Sequence, residues 1–432
     1  MTRTPAQTAM LDRLQRHTFR YYWDEANPDN GLVFDNTRRT SPCSITAVGL
    51  ALACYPVAAE RGFVTRSEAA LRARTTLRTF REGEQSERPD AMGYRGFYYH
   101  FLDMETGRRA MKSELSTVDS AFLFAGMLAA ALYFDRDDPV EGEVRELADV
   151  LYRRADWRWA QNGGPTLTHG WRPGRGFLPY RWQGYDEALL LYFLALGSPT
   201  HPIPAESYAA WLSTYRWKRI YGIELLHAGP LFIHHYSHVW VDFRGIRDAY
   251  MRAKRIDYFE NSRRSALVQQ QYAIRNPRGF EGYGEFVWGL TASDGPGPAA
   301  VVVDGVKRRF WDYIARGAPW GPDDGTIGPW AVVASLPFAP EIVLPTLECF
   351  AAEYPEIVNR YGLRCSFNPT YRCVPDCGDG WVSAGNFGID QGPKVIMIEN
   401  DRSGFLWDLM KRCPYLVSGL RQAGFTGGWL GG

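Results

Sequence analysis

Three acidic residues, Asp119, Glu187 and Asp390, stand where a polar segment runs into an apolar one. Two carboxyl groups facing one ligand can do acid–base work, one giving a proton while the other handles the attacking side. Glu187 lies in YRWQGYDEALLLYFLAL, residues 180–196, aromatic and polar in its first half and apolar on every side in its second. A helix that is apolar all round is buried all round. Asp186 and Glu187 are therefore expected in the first turn of a core helix, with Tyr180, Trp182 and Tyr185 beside them. Such a mouth suits a polar, ring-shaped ligand, with sugars the obvious candidate. A general acid needs its pKa raised by burial or by a like charge, and Asp186 stands next to Glu187. Each acid also has a plainer reading. Asp119 follows Ser116 at capping-motif spacing, Asp390 could cap its own helix, and acids at a helix start complement the dipole.

Other chemistries find less support. His234 and His238 have the i,i+4 spacing of a metal pair, but no carboxylate follows at the distance such a motif demands, so hydrogen bonding is their expected role and no metal or cofactor is expected. There is no phosphate loop of Walker or dinucleotide type and no GxSxG elbow. Arg108, Arg109 and Lys112 read as a solvated basic loop. The Cys count is 7, without the dense spacing of a disulfide framework, and Cys365, Cys373 and Cys377 cluster in one loop, where free thiols are favoured over a disulfide or a metal clip and their state is left open.

The elements that must position the acids alternate between two kinds of helix. Ile45–Ala58, Ala121–Phe134, Ala188–Leu196, Ile327–Phe338 and Ile389–Ile398 are apolar all round. Each is followed by an amphipathic partner: Thr65–Phe80, Val140–Leu151, Pro204–Leu212, Pro340–Phe350 and Phe405–Cys413. A sixth pair fits between Ser237 and Ile274. Six such pairs predict an all-α fold, an (α/α)6 toroid with two concentric helical layers and long active-site loops. The polar clusters SELSTVDSA, TLTHGWRP, YRWQGYDE, HHYSHVWVD, DGTIGPW and FGIDQGPK each precede a buried helix. In a closed ring those helix starts share one rim, so the clusters converge on one funnel. Strand signals are scarce, Ala299–Val303 being the best, in a hairpin of the long 276–329 stretch, which could form a wall or lid.

The 432 residues carry no linker or low-complexity tract, which favours one domain over 1–432. A net charge of +1 argues against a nucleic-acid partner. The 15 Trp and 24 Tyr are more than a core needs, and many lie in Gly-rich, polar segments. The N-terminus has no signal core or cleavage site, and the longest apolar run is too short to span a bilayer. A cytoplasmic location is the expectation for the chain as it stands, and a periplasmic one if it has been trimmed. The oligomeric state is left open.

The chain resembles the bacterial "putative glucoamylase" domain family, which includes glycoside hydrolase family 144 and the transglycosylase domain of cyclic β-1,2-glucan synthases. Ordered blocks carry the match: FYYHFLD at 97–103, SELSTVDSA, HGW at 169–171, YRWQGYDEALLLYFLALGSPTHP, SHVWVDFRGIRD, DYFENSRR, WGLTASDGP, DGTIGPW and GIDQGPKVIMIEN. The resemblance runs from about Leu14 to about Arg412. It implies the same toroid, acting on β-1,2-glucan. It also implies Glu187 and Asp390 at the catalytic centre with Asp119 beside them, and His100, Glu114, Trp171, Trp182 and His238 along the subsites. Tyr180 and Asp294, from matching blocks, complete the substrate-binding set. Family members often carry Ser where this chain has Asp186, and the Cys365–Cys377 loop diverges. The expectation is endo-acting, inverting hydrolysis with Glu187 as acid, Asp390 as base and Asp119 assisting. A retaining transglycosylase and a silent glucan-binding protein are the alternatives.

Overall fold

The computed structural model describes residues 3–38, 40–372 and 380–431. It is mostly helical, and its buried helices include stretches with no polar face, such as Ile45–Glu60 and Leu189–Leu196, as well as Gly388–Ser403, which buries Asp390, Lys394 and Glu399. Ile45–Glu60, Thr117–Tyr133, Leu189–Leu196, Tyr236–Trp240, Pro329–Ala334 and Gly388–Ser403 are the six inner helices, in that order. Arg66–Glu82, Pro139–Arg153, Glu206–Leu212, Tyr258–Arg275 and Pro340–Glu353 follow the first five as half-exposed partners. The first inner helix packs against the second and the sixth, the second against the third, and the third against the fourth. The fourth and the fifth both reach the sixth. One apolar core runs through them from Leu11 to Leu430.

The first and second inner helices approach backbone to backbone. A Cβ on Gly126 would lie 1.9 Å from the Gly49 carbonyl oxygen, and one on Gly49 would lie 2.4 Å from that of Phe122. Only glycine at both positions permits that crossing. The first partner helix starts as its sequence predicts: Thr65 accepts from Glu68 N while the Glu68 side chain accepts from Thr65 N, a complete capping box.

Some boundaries differ. The third inner helix begins at Leu189, with Ala188 as its N-cap, so Asp186 and Glu187 lie in the turn before it rather than in its first turn. The fifth is cut to Pro329–Ala334, since Pro329 fits only a helix start and the chain turns at Ser335. The fourth is a single turn before the long Tyr258–Arg275 helix.

The all-α expectation needs amending. Ala299–Val303 does pair with Val306–Phe310 as a hairpin. A five-stranded sheet was not expected: Gly93–Tyr94, Phe97–Tyr99, Leu115–Ser116, Gly170–Arg172 and Gly176–Phe177 lie side by side. These strands are too short for alternation to show in sequence, yet they carry several polar clusters. Among the described residues, no helix is long and apolar enough to cross a membrane.

Candidate active site

Five of the six inner-helix starts contribute directly to one cavity of about 320 Å³: Thr46 from the first, Ser116 and Asp119 from the second, Glu187 from the third, Tyr236 from the fourth and Ile389 from the sixth. The start of the fifth contributes indirectly, because Trp330 Nε1 donates to the carbonyl of Ala292, which lines the wall. A larger cleft of about 540 Å³ beside Glu281, Glu353 and Trp381 contains none of the predicted acids.

Glu187 is held by its backbone. Ser237 Oγ, on the fourth inner helix, donates to the Glu187 carbonyl at 3.4 Å and accepts from Leu190 N at 3.1 Å. The side chain keeps part of its surface accessible at the cavity. Burial, with the charge of Asp119 adding to it, pushes its pKa up to about 7. Asp186, expected to supply that push, faces elsewhere: its Oδ1 accepts from Ala188 N at 3.0 Å and from Trp211 Nε1 at 3.3 Å. Burial, then the neighbouring Glu187, raises the pKa of Asp186 itself.

Asp119 is both cap and cavity wall. Ser116 Oγ accepts from Asp119 N at 3.3 Å and donates to its carboxylate, so the capping reading holds. Thr46 Oγ1 donates to Oδ1 at 2.6 Å from the first inner helix. His100 Nδ1 lies 3.7 Å from Oδ2 and 3.1 Å from Glu114 Oε1. Burial opposes a charge on His100, but Asp119, Glu114 and Asp35 outweigh it and raise its pKa to about 9. The hydrogen bond from His100 lowers Glu114 to about 2 despite its burial. The cavity thus sets one protonated carboxyl, Glu187, against an imidazolium bracketed by two carboxylates.

Asp390 sits behind this wall. It is fully buried, and among the described residues neither carboxylate oxygen has a hydrogen-bond partner of ordinary geometry. Burial pushes its pKa up to about 7, against the pull of the Cys365 thiol and the Lys394 ammonium. Lys394, which donates to the Leu363 carbonyl at 2.7 Å, is itself lowered to about 8 by burial. Tyr236 links the two compartments. Its hydroxyl donates to the Ile389 carbonyl at 3.4 Å and feels the charges of Asp390, Glu187 and Asp119 together.

Residues 179–414 match the family model described as "Putative glucoamylase". The chain belongs to that family. It is 30% identical to an exo β-1,2-glucooligosaccharide sophorohydrolase (non-reducing end) of Parabacteroides distasonis, over 96% of this chain. The chain spans 57% of the length of that relative. An endo-β-1,2-glucanase of Chitinophaga pinensis, solved with sophorotriose and glucose, is 27% identical with a TM-score of 0.86, covering 99% of this chain and all of that one. A structure named "putative glucoamylase" from Bacteroides uniformis is 32% identical with a TM-score of 0.87, each chain covering 100% of the other.

The other residues expected to bind substrate divide. His100, Glu114 and Trp182 line the cavity of this glucoamylase-family chain. Trp182 is 8% exposed, with one face stacked on His169 at 3.8 Å between ring centroids and its Nε1 donating to Thr117 Oγ1 at 3.0 Å, so little of the ring is free. Trp171, Tyr180, His238 and Asp294 are not in the lining. Trp171 packs on Tyr94 and Trp159. Tyr180 is exposed outside the cavity, and His169 donates to its carbonyl. His238 is core: its Nε2 pairs with Ser262 Oγ at 3.0 Å, and its ring lies against Phe243 and Phe338. Asp294 is buried, accepting from Ser383 Oγ at 2.6 Å and from Arg38. His234 is likewise buried, facing Tyr185 and the Ala228 carbonyl. Cys365 is a free, buried thiol, while Cys373 and Cys377 lie outside the described residues.

Sequence reasoning missed Thr46, His169, Tyr236 and Asp35. Thr46 and Tyr236 lie at inner-helix starts, where the convergence argument could have found them. Asp35 carries no such signal. It lies in an irregular segment and reaches the site through its carbonyl, which accepts from Gly388 N at 2.7 Å. Its carboxyl, raised by burial, faces Asn36, His100 and Asp119.

Proposed function

We propose that this chain hydrolyses β-1,2-glucan with inversion, on an (α/α)6 toroid, with Glu187 giving its proton to the glycosidic oxygen. One observation carries the reading: Glu187 is a carboxylic acid held protonated to about pH 7 on the wall of a cavity built from inner-helix starts. Its relatives' substrates supply the linkage. On the attacking side, Asp119 has its oxygens engaged by Thr46 and Ser116, which makes it a poor nucleophile and a good positioning group. Asp390 is sealed from the cavity, so direct attack on an anomeric carbon is out of its reach. It can still take up a proton relayed through a substrate hydroxyl, while the Cys365 thiol and the Lys394 charge face its carboxyl within the protein. That favours a relayed base and water attack over a covalent intermediate. Endo cleavage remains the expectation.

Glu187→Gln tests the acid. It should lower kcat on linear β-1,2-glucan by roughly 10²–10⁴-fold, and wild-type turnover would remove Glu187 from the role. Anomer detection by NMR on the first products reads inversion, and product length reads endo against exo.

A further inference from the structure

A second concavity, about 380 Å³, sits on the rim beside the cavity. Arg109, Lys112, Arg172 and Arg175 line it, with Pro89 and Pro173 between them. Its walls are the loop before strand Leu115–Ser116 and the turn joining Gly170–Arg172 to Gly176–Phe177, closed by Arg175 N on the Arg172 carbonyl at 3.1 Å. Leu115 pairs with Trp171 across these strands. The same segments reach the catalytic cavity through Glu114, His169 and Leu178. A polymer lying in the cavity would therefore pass this rim.

The charges here are only partly offset. Arg109 is pinned by three carbonyls and the face of Tyr99: Nε donates to Ser113 O at 2.6 Å, Nη2 to Lys112 O at 2.8 Å and Nη1 to Pro89 O at 3.3 Å, with the guanidinium 4.6 Å from the ring centroid. Arg172 lies 3.7 Å from Glu114, whose carboxylate is already engaged by His100. The Nε of Arg172 is buried and finds no acceptor among the described residues. Lys112 and Arg175 are exposed arms. Among the described residues no Asp or Glu lines the concavity, and Asp90, next to Pro89, is paired with Arg108. Burial, together with the charge of Arg172, lowers the pKa of Arg109, as expected of crowded cations. Four cations around one space repel until an anion enters, and guanidinium groups are suited to oxyanions.

We infer that this rim site holds an anionic group, a phosphate ester or carboxylate, carried on the sugar chain in the adjoining cavity. The inference rests on the glucan-hydrolase reading. The basic run that looks like a solvated loop in sequence thus becomes one wall of a specificity site.

The test compares kcat/KM on neutral β-1,2-glucan with that on the same polymer bearing phosphate or succinyl half-ester groups. It uses the wild type and the doubly substituted Lys112→Gln/Arg175→Gln protein. The wild type should prefer the charged polymer by roughly tenfold at low salt, with the preference fading as salt rises. The double variant should keep its rate on neutral glucan and lose the preference. Equal rates on both polymers in the wild type, or a preference that survives in the double variant, would overturn the inference. So would calorimetric binding of inorganic phosphate, lost in the double variant, with no preference between polymers, since that marks a free-anion site. No cleavage of either polymer would instead overturn the glucanase reading, and this inference with it.

Discussion

Thr46 Oγ1 donates a 2.6 Å hydrogen bond to Asp119 Oδ1, stitching the start of the first inner helix to the start of the second. The bond aims a carboxylate at the cavity shared with Glu187, and the charge of that carboxylate helps hold the Glu187 proton. Activity should therefore fall as pH rises through about 7, where Glu187 ionises. Asp119→Asn removes a negative neighbour, which favours the Glu187 carboxylate and lowers its pKa. The alkaline limb of the kcat/KM profile should then move to lower pH, whatever the loss in absolute rate. A limb that stays in place would show that Asp119 does not act on Glu187.

Asp186 provides the contrast. Its carboxyl is turned to Trp211 Nε1 and Ala188 N, and burial, then the charge of Glu187, raises its pKa, so Asp186 stays protonated while Glu187 ionises. Asp186→Asn keeps an acceptor for both donors. Its alkaline limb should coincide with that of the wild type, and a shift of more than a few tenths of a pH unit would restore the expectation drawn from sequence adjacency.

The His100–Glu114 pair gives a stability signature. Glu114 is lowered from 4.5 to about 2, so its contribution is complete above about pH 4.5 and lost as pH falls through 2. His100 is raised from 6.5 to about 9, so its contribution is complete below about pH 6.5 and lost as pH rises through 9. His100→Gln should lower Tm most between about pH 4.5 and 6.5, and the deficit should shrink above pH 9. A deficit constant across that range would mean that packing against Phe101, on which the ring stacks, outweighs charge.

Gly126→Ala tests the helix crossing. The new methyl would meet the Gly49 carbonyl at 1.9 Å, so the first two inner helices must separate. A loss of about 1–3 kcal/mol or more is expected in denaturant unfolding. Because those helices carry Thr46 and Asp119, activity should fall with stability. An unchanged midpoint would show that the crossing relaxes freely.

The apolar-all-round stretches were legible as buried helices because burial on every side leaves no polar face to misread. Thr65 and Glu68 marked a helix start for a similar reason, since a capping box is local chemistry. The five-stranded sheet was not legible: strands such as Leu115–Ser116 are defined by partners far along the chain, not by their own pattern.

For the site, the residues themselves determined that acids stand at the starts of buried helices, and therefore that Asp119 and Glu187 could meet. Only the tertiary structure decided which acids share the cavity and which lie behind it. It turned Asp186 to Trp211, seated Asp390 under Ile389 and Tyr236, and placed His238 and Asp294 in the interior. Position along a chain says what a side chain can do. Desolvation and the charges facing it, which set its protonation, come from segments that only folding brings together.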